Sequence, residues 1–508
     1  MVLSGFFAFL AALWCIIASF IPFLPNIVLF PIPSLCQEPQ RTTLPLLDIQ
    51  LSESDFQDIR NNRGNRVGRV VYDGRVWDNV EMRKSGRTSI NTAKGSFRLD
   101  FPRGDPFVAP FLDAAGADEL TIDQGFPNFD NLREKLAWEM VADAGMESIL
   151  STNVRVTTNG RFYGLYLLRE EQDGDWRNRH GLDNGPVYKF EDSNGGEFGF
   201  AGVIDKKEFE DEPDTDLIEF RVCLDETGDA LRSCMLDQAD IPQLANEFAA
   251  VALVQQTDQQ SFNFFLYQDF SQNGLWRMQP DDLDRVLGLI GGDFELVVAD
   301  GTPTFRRCMQ NEICRAFMRL PEFQTMYNRR LRTLADEVLA DPKWRTDLAT
   351  LATQIEDDWG YDEALWRRTS FSFDQAIDAL DGWFVDYLAH LRSGGHDGLV
   401  PSAQSATPLV EVTEYRPDSG DGLSYVMIRN PSDDESVDIS NWPLGPVEVP
   451  AGLVVLPGAT VAITNNDAAF RVEQPSFDGI RGYIGSALTG DLTLQRRDGS
   501  TAATLIVV

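Results

Sequence analysis

Hydrophobic and polar positions change their period several times along this chain, and each change marks an element. Val2 to Ile21 reads VLSGFFAFLAALWCIIASFI, and no charged side chain precedes Glu38. A run of that length can cross a bilayer as a helix. Residues 1–40 are therefore expected to be a signal sequence or membrane anchor, with Pro22, Pro25, Pro31 and Pro33 breaking any helix. Residues 66–101 alternate in strand fashion, as in Ser96-Phe97-Arg98-Leu99-Asp100-Phe101, and predict a small antiparallel sheet. Leu132, Leu136, Met140 and Val141 fall at helical spacing, with Asp130 or Asn131 placed to cap and Gly145 to end the helix. Asn153 to Leu168 forms two alternating runs joined by Asn159-Gly160, a hairpin signal because both positions accept positive φ.

Further on, Ile241 to Gln256 reads as a helix opened by Asp240 and Pro242. Two short strands follow, Phe264–Gln268 and Trp276–Gln279, and then the acidic cluster Asp281-Asp282-Leu283-Asp284. Residues 321–392 are mostly helical in pattern. A Pro/Ser/Ala/Thr stretch over 398–408 reads as a linker, and beyond it short strands alternate with Gly, Pro, Asn and Asp. The expected organisation is an α+β chain: residues 41–397 as one domain and 409–508 as a separate β-sandwich.

Composition narrows the function. With 508 residues, 43% of them hydrophobic, the chain can build more than one core. Asp and Glu number 79 against 44 Lys and Arg, a net charge of −35, which disfavours nucleic acid as the main partner. Lysine occurs only at positions 84, 94, 135, 189, 206, 207 and 343. Cys223, Cys234, Cys308 and Cys314 allow three pairings, of which the near neighbours 223 with 234 and 308 with 314 close short loops suited to an exported protein. Zinc is disfavoured because no Cys-x-x-Cys occurs and His180, His390 and His396 do not cluster with the cysteines. There is no Gly-x-Ser-x-Gly elbow, His-Glu-x-x-His helix or Walker loop.

What remains is a set of parts for phosphoryl transfer: a cation for phosphates, a carboxylate to receive the substrate proton, and oxygen ligands for magnesium. Lys94 begins a strand-like run, and Glu134 sits in the first turn of the following helix, an order that allows a Lys94 to Glu134 ion pair. Asp258 and Asn263 have Asp-x-x-x-x-Asn spacing, which in a loop places a base and a metal ligand on one side of a nucleotide, and Asp282 follows after a hairpin-sized interval. Such oxygen-only ligation suits Mg2+ or Mn2+.

These residues match a known pattern. Arg83-Lys84-Ser85-Gly86-Arg87-Thr88-Ser89 with Ala93-Lys94-Gly95-Ser96-Phe97 resembles an arginine-x-x-Gly-Asn-Ser-Ser segment and its Lys-x-Ser-Phe strand. Asn159-Gly160 with Tyr163-Gly164-Leu165-Tyr166 and Arg169-Glu170-Glu171 resembles an NG-x-x-x-GLY-x-L-x-E stretch, and Asp258 to Tyr267 and Pro280 to Gly288 resemble D-x-x-x-x-N-x-x-L-Y and P-W-D-L-D-x-x-x-G motifs. Over about residues 45–395 the chain thus resembles the spore coat protein CotH kinases, atypical secreted protein kinases.

The resemblance implies an atypical two-lobed kinase fold and an exported enzyme that transfers the γ-phosphate of ATP to Ser or Thr of surface or extracellular proteins. It implies Asp258 as catalytic aspartate; Asn263, Asp282 and Asp284 around Mg2+ or Mn2+, Asp284 as ligand or as structural hydrogen-bonding residue; Lys94 on the phosphates with Glu134 beside it; and Arg83 and Glu171 near the nucleotide. Two departures stand out: Asp281 replaces the family tryptophan, and Gly86-Arg87-Thr88-Ser89 replaces Gly-Asn-Ser-Ser. Tyr425 to Leu444 resembles a lamin tail domain, an immunoglobulin-like sandwich. The competing expectations are a non-catalytic surface or matrix scaffold and a carbohydrate hydrolase using Asp258 and Asp282.

Overall fold

A computed structural model describes residues 42–86, 89–126, 130–182, 184–191, 199–256, 262–270, 273–288, 311–366, 371–395 and 398–505. The expected leader, Asp258 and Cys308 lie outside the described residues. Among the described residues, no helix is long and apolar enough to cross a membrane. The chain is mixed α and β, and it folds as two compact units. The first comprises Met1–Leu136, Ile149–Trp176 and Lys343–Asp381; the second comprises Ala137–Ser148, Arg177–Pro342 and Gly382–Val508.

Seven strands build the first unit: β1 Leu46–Gln50, β2 Arg66–Tyr72, β3 Arg75–Ser85, β4 Ser96–Asp100, β5 Glu119–Asp123, β6 Ser151–Thr158 and β7 Arg161–Glu170. They close into a barrel in the order β1-β2-β3-β4-β5-β7-β6. Closure comes from a parallel pairing of β1 with β6, with Leu47 opposite Val156. The sheet expected over residues 66–101 is therefore part of a larger ring, which removes the exposed edges that three strands alone would leave. Leu47, Trp77, Leu99, Ile122 and Val156 fill it, and Trp77 stacks on Phe107 with ring centroids 4.8 Å apart.

Helix Glu53–Arg60 is capped by Ser52, whose hydroxyl accepts from the Asp55 N–H, and buries Phe56 and Ile59. Asn159 and Gly160 both adopt positive φ, 51° and 76°, in the β6–β7 turn, as their identity requires. Asp130 Oδ1 accepts from the Leu132 and Arg133 N–H groups at 2.9 and 3.2 Å, so it is Asp130 that opens helix Arg133–Asp143. Helix Lys343–Trp366 presents Asp358, Asp362 and Trp366 at four-residue spacing to β6 and β7. Asp358 Oδ1 meets Arg155 at 2.6 Å, and Trp366 donates to the Tyr163 carbonyl at 2.9 Å.

In the second unit, β8 Val187–Glu191, β9 Val203–Glu208, β10 Phe264–Gln268 and β11 Trp276–Pro280 form a sheet in the order β11-β10-β8-β9. Helix Ile241–Leu253 is buried on nearly all sides and opens at Asp240, which accepts from the Gln243 N–H at 3.2 Å. A disulfide joins Cys223 to Cys234 in consecutive helices. Cys314 is disulfide-bonded as well.

Beyond residue 409 the described strands form two four-stranded sheets and one two-stranded pair. They share this unit with the helices. Arg330 of helix Pro321–Leu334 donates to Asn246 Oδ1 at 2.7 Å and to the Ala144 carbonyl at 3.0 Å, and pairs with Asp438 at 3.3 Å. Contact is so close that a Cβ at Gly452 would stand 1.8 Å from the Pro242 carbonyl oxygen.

Candidate functional site

Lys94 lies at the end of the segment before β4 and is 2% exposed. Its ammonium meets Asp362 Oδ1 at 2.8 Å, donates to the Leu165 carbonyl, and sits 4.1 Å from the centroid of the Tyr166 ring. The same short stretch of β7 supplies most of this chamber. Tyr163 donates its hydroxyl to the Lys94 carbonyl at 2.8 Å, and burial pushes that hydroxyl's pKa up, which keeps it a neutral donor. The Leu165 N–H donates to Asp362 Oδ1 at 3.0 Å, and the Tyr166 hydroxyl donates to the Gly95 carbonyl at 3.1 Å. Gly164 is small of necessity: a Cβ there would come within 2.5 Å of Asp362 Oδ1 and 2.8 Å of Lys94 Cε. Tyr163-Gly164-Leu165-Tyr166, a motif in the sequence, is thus a cradle for one lysine and one carboxylate.

The carboxylate that Lys94 meets is Asp362, 268 positions later, in place of the expected Glu134. Glu134 is buried and pairs with Arg169 at 3.4 Å. Arg83 and Glu171 belong with it, in one chain of alternating charges. Arg83, Arg98, Thr121 and Arg169 stand in register across β3, β4, β5 and β7. Asp100 pairs with Arg83 and with Arg98 at 3.6 Å; Glu119 pairs with Arg98; Glu171 lies 3.6 Å from Arg98 and 3.9 Å from Arg169. Burial holds the Asp100 pKa above its ordinary value in spite of Arg83 and Arg98. Three of the four expected nucleotide residues therefore share a ladder whose positive charge is matched by carboxylates.

In the second unit, Asn263 and Asp282 leave the same end of the β10–β11 hairpin, where Phe264 faces Pro280. Both adopt positive φ, 60° and 54°, a conformation that short polar side chains tolerate best. The Asp281 N–H donates to the Asn263 carbonyl at 3.1 Å, and the Gln256 side-chain Nε2 donates to the Asp282 carbonyl at 2.9 Å, so one backbone bond and one side-chain bond hold the two turns. Asp281, the residue in place of the family tryptophan, ion-pairs with Lys189 at 2.8 Å. Its charge is thus taken up beside the hairpin end. Asp284 lies two residues beyond Asp282 in the following turn.

No group of three or more His, Cys, Asp or Glu placed to hold a metal occurs among the described residues. Asn263 and Asp282 carry oxygen donors of the kind magnesium and manganese take, one amide and one carboxylate. Sequence reasoning missed Asp362, Asp358 and Lys189. Asp358, Asp362 and Trp366 did carry a signal, two acids at four-residue spacing on the apolar side of a helix.

The family model described as CotH kinase protein matches residues 82–390, more than half of the chain, and the protein belongs to that family. The family match makes this mixed α and β chain a kinase-like protein. The match spans Arg83, Lys94, Glu134, Glu171, Asp258, Asn263, Asp282 and Asp284 and ends before the C-terminal strands. No match to the chain was found among curated proteins.

Proposed function

We propose that this chain is an exported protein kinase that transfers the γ-phosphate of ATP to Ser or Thr of surface or extracellular proteins. The observation that carries the reading is the hairpin end, where Asn263 and Asp282 are fixed side by side by the Asp281 to Asn263 backbone bond at 3.1 Å. Mg2+ or Mn2+ bound there would screen the charge of the phosphates. Asp258 would receive the proton of the acceptor hydroxyl. The Lys94 to Asp362 pair would hold the lysine in one rotamer, with Gly164 keeping β7 close enough for both partners. Glu134, Arg83 and Glu171 would act through the charge ladder, which fixes the faces of β3, β4, β5 and β7. The Cys223–Cys234 disulfide supports an oxidising compartment and so export. Residues 1–40 would supply the leader or the sole membrane contact, and the C-terminal strands, read as a lamin-tail-like sandwich, would serve in attachment or spacing.

The test is transfer of label from γ-labelled ATP, with Mg2+, to a mixture of exported proteins, comparing wild type with Asp258→Asn. Transfer by wild type that falls at least a hundredfold in the variant supports the reading. Equal label in both would leave Asp258 without a catalytic role.

A further inference from the structure

Acids outnumber bases 79 to 44 in this chain, and the ladder cations and Lys94 all have carboxylate partners. One place in the barrel unit departs from this. A cavity of about 380 Å³ lies between the end of helix Glu53–Arg60, the end of β3 and residues 90–93, and no carboxylate is among its described lining residues. Two cations line it, Arg60 and Lys84, with the polar side chains of Gln57, Asn61, Asn91 and Thr92. Among the described residues, neither cation has an acid within ion-pair distance.

Both cations are held in place by uncharged groups. Arg60 donates to the Ala93 carbonyl at 3.1 Å, its guanidinium lies 5.9 Å from the Tyr163 ring centroid and 5.5 Å from that of Trp366, and its Nε is buried with no hydrogen-bond partner. Lys84 lies along Gly95, where a Cβ would meet its Cε at 3.0 Å, and its ammonium donates to the Arg60 carbonyl at 2.9 Å. Burial, and then the Arg60 charge, hold the Lys84 pKa below its ordinary value, a cost that a bound anion would relieve. Gly95 separates the two lysines' roles: Lys94 turns inward to Asp362, and Lys84 turns to the cavity.

We propose that this cavity binds a phosphate group, with Arg60 and Lys84 supplying the charge and the amides of Asn61 and Asn91 neutral donors. Two cations and several amide donors match a dianion better than a single carboxylate. The volume suits a small organic phosphate, and the polar lining excludes an apolar ligand. The phosphate belongs either to a nucleotide or to a phosphorylated side chain. Binding here needs none of Asp258, Asn263 or Asp282, so it goes beyond the kinase reading and stands or falls separately.

The experiment is calorimetric titration of the full chain with pyrophosphate, without metal, in wild type, Lys84→Gln, Lys84→Arg and Asp282→Ala. The expected result is binding in wild type, weakened at least tenfold by Lys84→Gln, largely kept by Lys84→Arg and unchanged by Asp282→Ala. Displacement of pyrophosphate by metal-free ATP assigns the cavity to a nucleotide, and displacement by O-phosphoserine assigns it to a phosphorylated side chain. Absence of binding in wild type, equal binding in wild type and Lys84→Gln, or displacement by neither competitor overturns the proposal. Loss of label transfer with pyrophosphate binding intact would count against the kinase reading alone.

Discussion

Asp362 is the residue whose removal tests the barrel unit most sharply. It is fully buried, it meets the ammonium of Lys94 at 2.8 Å, and it accepts from the Leu165 N–H at 3.0 Å. Asp362→Ala leaves a buried ammonium facing a void and an amide without its acceptor. Breaking a buried pair from one side costs about 3–5 kcal/mol. Lys94→Met breaks the pair from the other side and leaves a buried carboxylate without its cation. The double variant Lys94→Met/Asp362→Leu strands neither charge, so it is expected to be less destabilised than the sum of the single variants, with a coupling of about 2 kcal/mol or more. The assay is urea unfolding of the full chain followed by tryptophan fluorescence. With a slope near 3 kcal/mol per molar urea, Asp362→Ala should lower the midpoint by about 1 M or more. A shift under about 0.3 M, or strict additivity in the double variant, would refute the claim that this pair braces the unit.

Three further outcomes follow from other places in the structure. Burial, reinforced by Asp118, Asp175 and Glu171, pushes the Asp173 pKa up to about 6, although its carboxylate also accepts from the Trp176 N–H. A raised folded-state pKa means that the folded chain holds its proton longer than the unfolded chain. Stability is therefore lost as pH rises from about 4 to about 6, and Asp173→Asn should stabilise by about 2–3 kcal/mol at pH 7 and by nothing below pH 4, read from urea midpoints. The Cys223–Cys234 disulfide closes a loop with a sequence separation of 11, and Cys234→Ser should cost about 3 kcal/mol by loop entropy, with reductant lowering wild type at least as far because the Cys314 disulfide opens too. Arg330→Ala takes the cation from buried Asp438 and the donor from Asn246 Oδ1 in the second unit and should cost about 3–5 kcal/mol, a loss that would be absent if the C-terminal strands were energetically independent of the helices.

How much was legible in the sequence depended on distance along the chain. The Asn159-Gly160 turn, the Asp240 cap, a cap at Asp130 or Asn131 and the strands flanking residues 269–275 are local, because each rests on φ preference or on a side chain bonding its own next turn, and each was readable. The motif residues Tyr163 to Tyr166 were visible as a motif, yet their purpose was not, since their partners Lys94 and Asp362 come from segments far away in sequence. Kinase-like order pointed to Glu134 for the lysine. Glu134 meets Arg169 instead, because the first turn of its helix packs beside β7, and that packing is a tertiary property. Asp281 reads in the sequence only as a departure from the family tryptophan, and its partner Lys189 comes from β8, far away along the chain. Barrel closure by β1 and β6 leaves no trace in periodicity, since a parallel partner about 100 residues away changes none of the alternation that predicts a strand.

The proposed kinase activity rests on metal-dependent phosphoryl transfer at the hairpin end of Asn263 and Asp282. The most direct measurement is the rate of transfer from ATP as a function of Mg2+ concentration, in wild type, Asp282→Ala and Asn263→Ala. The prediction is a saturable Mg2+ dependence in wild type, no transfer in Asp282→Ala at any concentration, and a curve shifted to at least tenfold higher Mg2+ in Asn263→Ala. Superimposable curves for the three proteins would contradict it.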